Sequence, residues 1–167
     1  MSKKEKKALD VLGELGIEYD YYEHEPLFTI EAAREMDKKI GINICKNLFL
    51  STRHSTEFYL LFMRGDKKFN TGAVSRQLGV PRLTFARDEF LLEFLDLNPG
   101  SVTPLGLIND SGRRVSFIID RDVLEMERVS MHPCVNTATV VIKTKDLTDK
   151  LLPYCGRGYR EVTINAF

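Results

Sequence analysis

Ala8, Val11, Leu12 and Leu15 recur at three- and four-residue spacing among charged positions, the period of one helix face, and Gly16 follows as a C-terminal cap. The period then changes. Tyr19 to Glu23 reads as extended, and Thr29 is placed to N-cap a second helix to about Lys39, with Glu31 in its first turn and Gly41 near its end. Two apolar runs, Asn47 to Thr52 and Phe58 to Met63, predict strands joined by a polar turn. The turn Arg64-Gly65-Asp66-Lys67 leads to a short helix from Thr71 to Leu78, closed by Gly79, and Glu89 to Leu95 is a further helical patch. Leu105 to Ile108 and Val115 to Ile119 flank Asn109-Asp110-Ser111-Gly112, a pattern that predicts a β-hairpin. Asp122 to Glu127 reads as a short helix or turn. Val129 to His132 and Thr139 to Lys143 read as strands, Leu147 to Leu152 as helix, and Tyr159 to Ile164 as a last strand.

Hairpins mixed with irregularly placed helices favour an α+β fold over a doubly wound sheet. The glycine patterns of Rossmann and P-loop folds are absent, so no nucleotide cofactor is expected. The 167 residues suit one domain, 1–167, without repeats or a linker. Composition adds little: 43% hydrophobic and 29% charged residues describe an ordinary water-soluble globule. No apolar stretch approaches membrane-spanning length and the charged start lacks an apolar leader, so a cytoplasmic protein is expected. Cys45, Cys134 and Cys155 are odd in number and widely spaced, the pattern of free thiols, and three scattered histidines complete no metal-ligand spacing.

Charge narrows the partners. Twenty-four basic residues balance twenty-four acidic ones, which argues against a tight, sequence-blind nucleic-acid binder. A local basic patch stays open if several of Lys38, Lys39, Lys46, Arg64, Lys67, Lys68, Arg76, Arg82, Arg113 and Arg114 converge.

Three short segments carry candidate chemistry. Lys46 heads the strand-like run Cys45-Lys46-Asn47-Leu48-Phe49-Leu50. Alone it reads as a surface lysine beside a core strand, and Asn47 alternates to the opposite strand face. Asn98-Pro99-Gly100 is turn chemistry, and Pro104 pushes Thr103 toward extended geometry, so Gly100 to Pro104 alone reads as a structural turn. His132 precedes Pro133, with Asn136 and Thr137 able to bond the next turn, and alone reads as a partly buried, satisfied histidine. His24 and His54 lack such company and read as structural or exposed. Cys134, two residues from His132, raises the idea of a thiol hydrolase, which Pro133 weakens by disturbing regular geometry.

Taken together and in order, these segments carry a resemblance. Leu15 to Tyr19, His24-Glu25-Pro26-Leu27-Phe28-Thr29, Cys45 to Leu50, Leu78-Gly79, Pro99 to Asp110 and His132 to Thr139 resemble the YbaK/prolyl-tRNA-synthetase-associated (INS-like) editing domains. The freestanding ProXp-ala/PrdX branch is the nearest look, and the likeness covers nearly the whole chain. It implies a mixed, partly barrel-like sheet with flanking helices, and a trans-editing deacylase that hydrolyses alanine esterified to proline tRNA without cofactor or metal. Its partners would be the aminoacyl-tRNA 3′ end and prolyl-tRNA synthetase. The alternatives are a YbaK-type deacylase for cysteine on the same tRNA, or a non-catalytic aminoacyl-tRNA or amino-acid binding module.

The resemblance also implies roles. Lys46, Gly100 and His132 match the family's catalytic positions, and Asn47, Ser101, Val102, Thr103, Pro104 and Asn136 would contact substrate. An aminoacyl ester is already reactive, so positioning and charge stabilisation matter more than a strong nucleophile. The ribose 2′-hydroxyl is expected to organise the attacking water. A general-base Lys46 would need its pKa lowered by roughly three units, costing about 4 kcal/mol, so a protonated anchor is cheaper. Gly100 to Pro104 would present backbone N–H donors, and His132 would hydrogen-bond the ribose or carbonyl. A synthetase pocket sized for proline cannot exclude alanine, because lost methylenes are worth only ~1–3 kcal/mol. The editing pocket should therefore be small, closed by the second helix (Ile30 to Met36) and by residues around Lys46.

Overall fold

In the computed structural model, which describes residues 1–27 and 29–165, the helix spanning Lys3–Glu14 (α1) starts where Ser2 accepts a hydrogen bond from the Glu5 amide. It buries Ala8, Val11 and Leu12, the stripe read from the sequence. Asp20–Glu23 (β1) follows, then Ile30–Ile40 (α2), N-capped by Thr29 and ended by Gly41 in the left-handed conformation. Cys45–Ser51 (β2), Phe58–Arg64 (β3), Thr71–Leu78 (α3), Thr84–Phe85 (β4) and Asp88–Leu95 (α4) come next. The second half runs through Val115–Asp120 (β5), Arg121–Leu124 (α5), Arg128–Met131 (β6) and Ala138–Lys143 (β7). A helical stretch from Thr144 to Tyr154 (α6, a π turn over Leu147–Leu151, α7) leads to Arg160–Val162 (β8).

The strands form two sheets rather than one closed barrel. Five are ordered β4-β2-β3-β5-β8 and three are ordered β1-β7-β6. The larger sheet is mixed: β2 pairs antiparallel with β3 and β4, while β3–β5 and β5–β8 are parallel. Both sheets face one apolar core, to which Phe49, Phe58, Phe62 and Phe117 contribute from the larger and Val129, Met131, Val140 and Ile142 from the smaller. A second cluster, with Leu50, Tyr59, Leu61 and Met63, fills the opposite face of the larger sheet beneath α3. α2 lays Met36 and Ile40 over Val141 on the outer face of the three-stranded sheet.

The hairpin expected at Leu105 to Ile119 does not form. Pro104–Asn109 is a 3₁₀ helix whose start is capped by the Thr103 hydroxyl, and β5 pairs in parallel with β3 instead. A four-residue apolar run cannot by itself distinguish strand from helix. Here Pro104 at the first helical position and the buried Asp110 decide the matter: the Asp110 carboxylate accepts from the Arg114 and Val115 amides and from Arg157, taking the turn out of hairpin geometry.

Candidate active site

Alternation along β2 sets where its polar residues stand. Cys45 and Phe49 enter the main core, whereas Leu48 and Leu50 join the cluster under α3. Asn47 shares the first parity and Lys46 the second, and Lys46 pairs across the ladder with Met63. The Lys46 ammonium is half-buried and donates to the carbonyl of Lys67. Loss of water around it lowers its pKa, while the nearby Asp66 carboxylate pulls the other way. A carbonyl acceptor suits the protonated form. Asn47 keeps a buried side-chain oxygen with no hydrogen-bond partner among the described residues, a cost of about 1–3 kcal/mol unless a donor arrives from outside.

Lys67, counted above among candidates for a basic surface, is not on the surface. Its ammonium is buried between Asp120 at 2.9 Å and Asp122 at 2.6 Å. Arg64, from the same set, pairs with Asp66.

The start of β2 meets the smaller sheet directly, for the Cys45 amide donates to the hydroxyl of Ser130 at 3.3 Å. His132 lies two residues beyond Ser130, just past β6. Its Nδ1 is 2.8 Å from the Ala138 carbonyl. A carbonyl only accepts, so Nδ1 carries the hydrogen and, in the neutral ring, Nε2 presents a lone pair. Burial holds the His132 pKa below the usual histidine range, the Ala138 bond resists that shift, and the neighbouring His24 adds to it.

His24, read from the sequence as structural or exposed, is half-buried and hydrogen-bonded. The pairing of β1 with β7 brings its ring within 6.2 Å of the His132 ring. Its Nδ1 lies 2.7 Å from the Glu25 carbonyl, its Nε2 2.8 Å from the Thr139 hydroxyl, and its amide donates to Thr137. The parity of Tyr22 in β1 was the available signal, but the partner strand lies more than a hundred residues away. Phe28 and the side chain of Ile30, expected near this site, lie outside the described residues; His54 is exposed, as read from the sequence.

Gly100 occupies the left-handed region at φ +89°, which its lack of a side chain permits. A Cβ there would lie 3.6 Å from the Asn136 amide nitrogen, so the turn and the loop after His132 touch. Ser101 is buried and commits both its hydroxyl and its amide to the Asn98 carbonyl. Thr103 and Pro104 are buried and Val102 half-buried. The amides of Gly100, Val102 and Thr103 donate to no acceptor among the described residues. Backbone, rather than the Ser101 hydroxyl, is what this turn can offer a ligand.

The structure thus gathers His24, His132 and Asn136 with the Gly100 turn, and joins the Lys46 strand to them through Ser130. Burial pushes the Cys45 and Cys134 thiols up to about 12, and Cys155 to about 11, far from the thiolate a nucleophile needs. Open clefts of about 410 Å³ beside α3 and about 710 Å³ beside Thr144 to Asp149 are lined by other residues.

A family model described as the aminoacyl-tRNA editing domain matches residues 24–150. The prolyl-tRNA editing protein ProX of Acetoanaerobium sticklandii is 32% identical over 153 residues, covering 92% of this chain and 93% of that protein. The prolyl-tRNA synthetase associated domain-containing protein 1 of Danio rerio is 35% identical over 144 residues, covering 85% and 78%. Among solved structures, a candidate trans-editing enzyme for prolyl tRNA synthetase superposes with a TM-score of 0.72 at 20% identity, covering 99% of each chain, a likeness of fold. The chain belongs to the aminoacyl-tRNA editing domain family.

Proposed function

We propose that this member of the aminoacyl-tRNA editing family acts in trans, with residues 1–167 as one editing domain, to hydrolyse the ester of alanine mischarged onto proline tRNA. The observation that carries the reading is the convergence of the Gly100 turn, with its uncommitted amides, on the loop that begins at His132. Names of its relatives supply the proline tRNA; alanine is what the resemblance to the ProXp-ala branch implies, and the double sieve gives it a physical reason, since a proline pocket fails to exclude a smaller residue.

The roles follow from chemistry. Lys46 is the fixed cation that holds the terminal phosphate or ribose and meets negative charge developing on the ester oxygen. The amides of Gly100, Val102 and Thr103 are the neutral donors for that oxygen. His132 Nε2, a lone pair in the neutral ring, accepts from a ribose hydroxyl and not from the ester carbonyl, which cannot donate. Asn47 and Asn136 supply polar contacts. Ser101 and Pro104 hold the turn's shape. The 2′-hydroxyl of the substrate orients the water. Release or hand-over from prolyl-tRNA synthetase would deliver the substrate in the cytoplasm.

Deacylation of Ala-, Cys- and Pro-tRNA(Pro) by the purified protein tests this. Turnover of the alanyl ester is expected to exceed that of the cysteinyl ester, with prolyl ester spared. A preference for cysteine moves the activity to the YbaK type, and binding without turnover of any of the three makes the protein a binding module.

Gly100→Ala should lower kcat by about tenfold or more by displacing the donors. Forcing a side chain into the left-handed region costs only about 1–2 kcal/mol of stability. Urea unfolding beside single-turnover rates separates the two effects. A large stability loss with normal turnover would return Gly100 to a purely structural role.

A further inference from the structure

Lys46 heads a strand from which a four-carbon side chain could sample many rotamers, and an anchor that wanders is a poor anchor. Among the described residues its acceptor is a main-chain carbonyl, that of Lys67. What holds that carbonyl is therefore a question about the site. The turn after β3 is fixed at two points. Gly65 donates its amide to the Ile44 carbonyl at 3.0 Å, and a Cβ on Gly65 would stand 2.1 Å from that oxygen, so only glycine lets the turn sit this close to the start of β2. At its far end the Lys67 ammonium is buried between Asp120 and Asp122. Asp120, itself fully buried, takes the Arg64 amide at 3.2 Å and the Asp122 amide at 3.1 Å. One carboxylate thus ties the last residue of β3, the Lys67 side chain and the first turn of α5 together.

Stability is a weak reason for such a cluster. Burying an ammonium and a carboxylate carries a desolvation cost that their attraction does little more than offset, and apolar replacements often serve as well. Burial does work against the Lys67 ammonium, but its hydrogen bonds to Asp122 and Asp120 outweigh that and hold its pKa above the ordinary lysine value. What an ion cluster supplies and apolar packing does not is direction: it fixes where the intervening peptide points.

We infer that Lys67, Asp120 and Asp122, with Gly65, are positioning residues for Lys46: the buried ion cluster clamps the 64–67 turn so that the Lys67 carbonyl aims the Lys46 ammonium. The inference rests on the proposed editing role of Lys46, and a double-mutant cycle separates the two. Asp122→Ala removes the half-exposed partner and leaves Asp120 in place, so the protein should fold; Gly65→Ala shifts the turn with no change of charge. Each is expected to lower kcat for alanyl-tRNA hydrolysis by about tenfold, the order of effect a displaced group produces, with KM moving less. In a Lys46→Ala background neither substitution should lower kcat further, because the group they aim is gone. Losses that multiply in that background, or full kcat in Asp122→Ala, would overturn the positioning role. Undiminished activity of Lys46→Ala alone would instead remove the functional reading beneath it. If Gly65→Ala does not fold, Asp122→Ala alone completes the cycle.

Discussion

Lys46→Ala is expected to lose deacylation of alanyl-tRNA by about 10²–10³-fold, the range seen when one preorganised donor to a developing oxyanion is removed. The cause is specific. This ammonium is half-buried and donates to a main-chain carbonyl. A cation already fixed by such a bond needs little reorganisation to be used. Stability should change little, because the side chain that is lost fills no core position and breaks no ion pair. Lys46→Arg should also lose most of the activity: a planar fork cannot occupy the place of a compact point charge held by one carbonyl. Single-turnover deacylation with thermal unfolding as control measures both. Near-normal rates in Lys46→Arg would mean that any cation suffices, and in Lys46→Ala that the site lies elsewhere.

Asp110→Ala is expected to bring the largest loss of stability, about 3–5 kcal/mol. Both side chains of the Asp110–Arg157 pair are nearly buried, with 2% and 9% of their surface exposed. Arg157 donates to the Asp110 carboxylate at 3.0 Å and to the carbonyls of Val115 and Asp110 at 2.7 and 3.1 Å. Removing the carboxylate strands a buried guanidinium and leaves the Arg114 and Val115 amides without their acceptor. The same contacts tie the end of the 3₁₀ helix to the start of β5, so the loss should fall on the whole cooperative unit. For a chain of this size it amounts to a fall in Tm of roughly 6–20 °C. Urea unfolding of the Asp110→Ala protein measures it, and a loss under about 1 kcal/mol would mean that water replaces the carboxylate.

Fold and site were legible to different depths. The helices α1, α2 and α3 and the strands of the β2–β3 hairpin followed from local patterns: apolar spacing, Thr29 at the start of α2, glycine at helix ends, and a polar turn between apolar runs. The segment from Leu105 to Ile119 was misread, since its course depends on Asp110 meeting Arg157, forty-seven residues away. The same divide runs through the site. Lys46, Gly100 and His132 stand out through the company they keep in the sequence. The need for glycine at Gly100 is itself local, a matter of backbone φ. Lys67 was misjudged, and the surroundings of His24 were out of sight: a lone histidine and one lysine of a pair carry no sign of the β1–β7 pairing or of the Asp120 carboxylate beside them.

The sequence by itself determined the periodicities, the caps, the Gly100 turn and the ordered motifs that assign the chain to its family, because each is written in residues a few positions apart. Alternation already puts Asn47 and Lys46 on opposite strand faces. Only the tertiary structure decided that the Asn47 oxygen is buried without a partner among the described residues and that the Lys46 ammonium meets the Lys67 carbonyl. It alone put His24 beside His132 and buried Lys67 between two carboxylates. Those facts depend on which strands pair and in what register, and register is settled by burial and hydrogen bonds between segments that are remote along the chain.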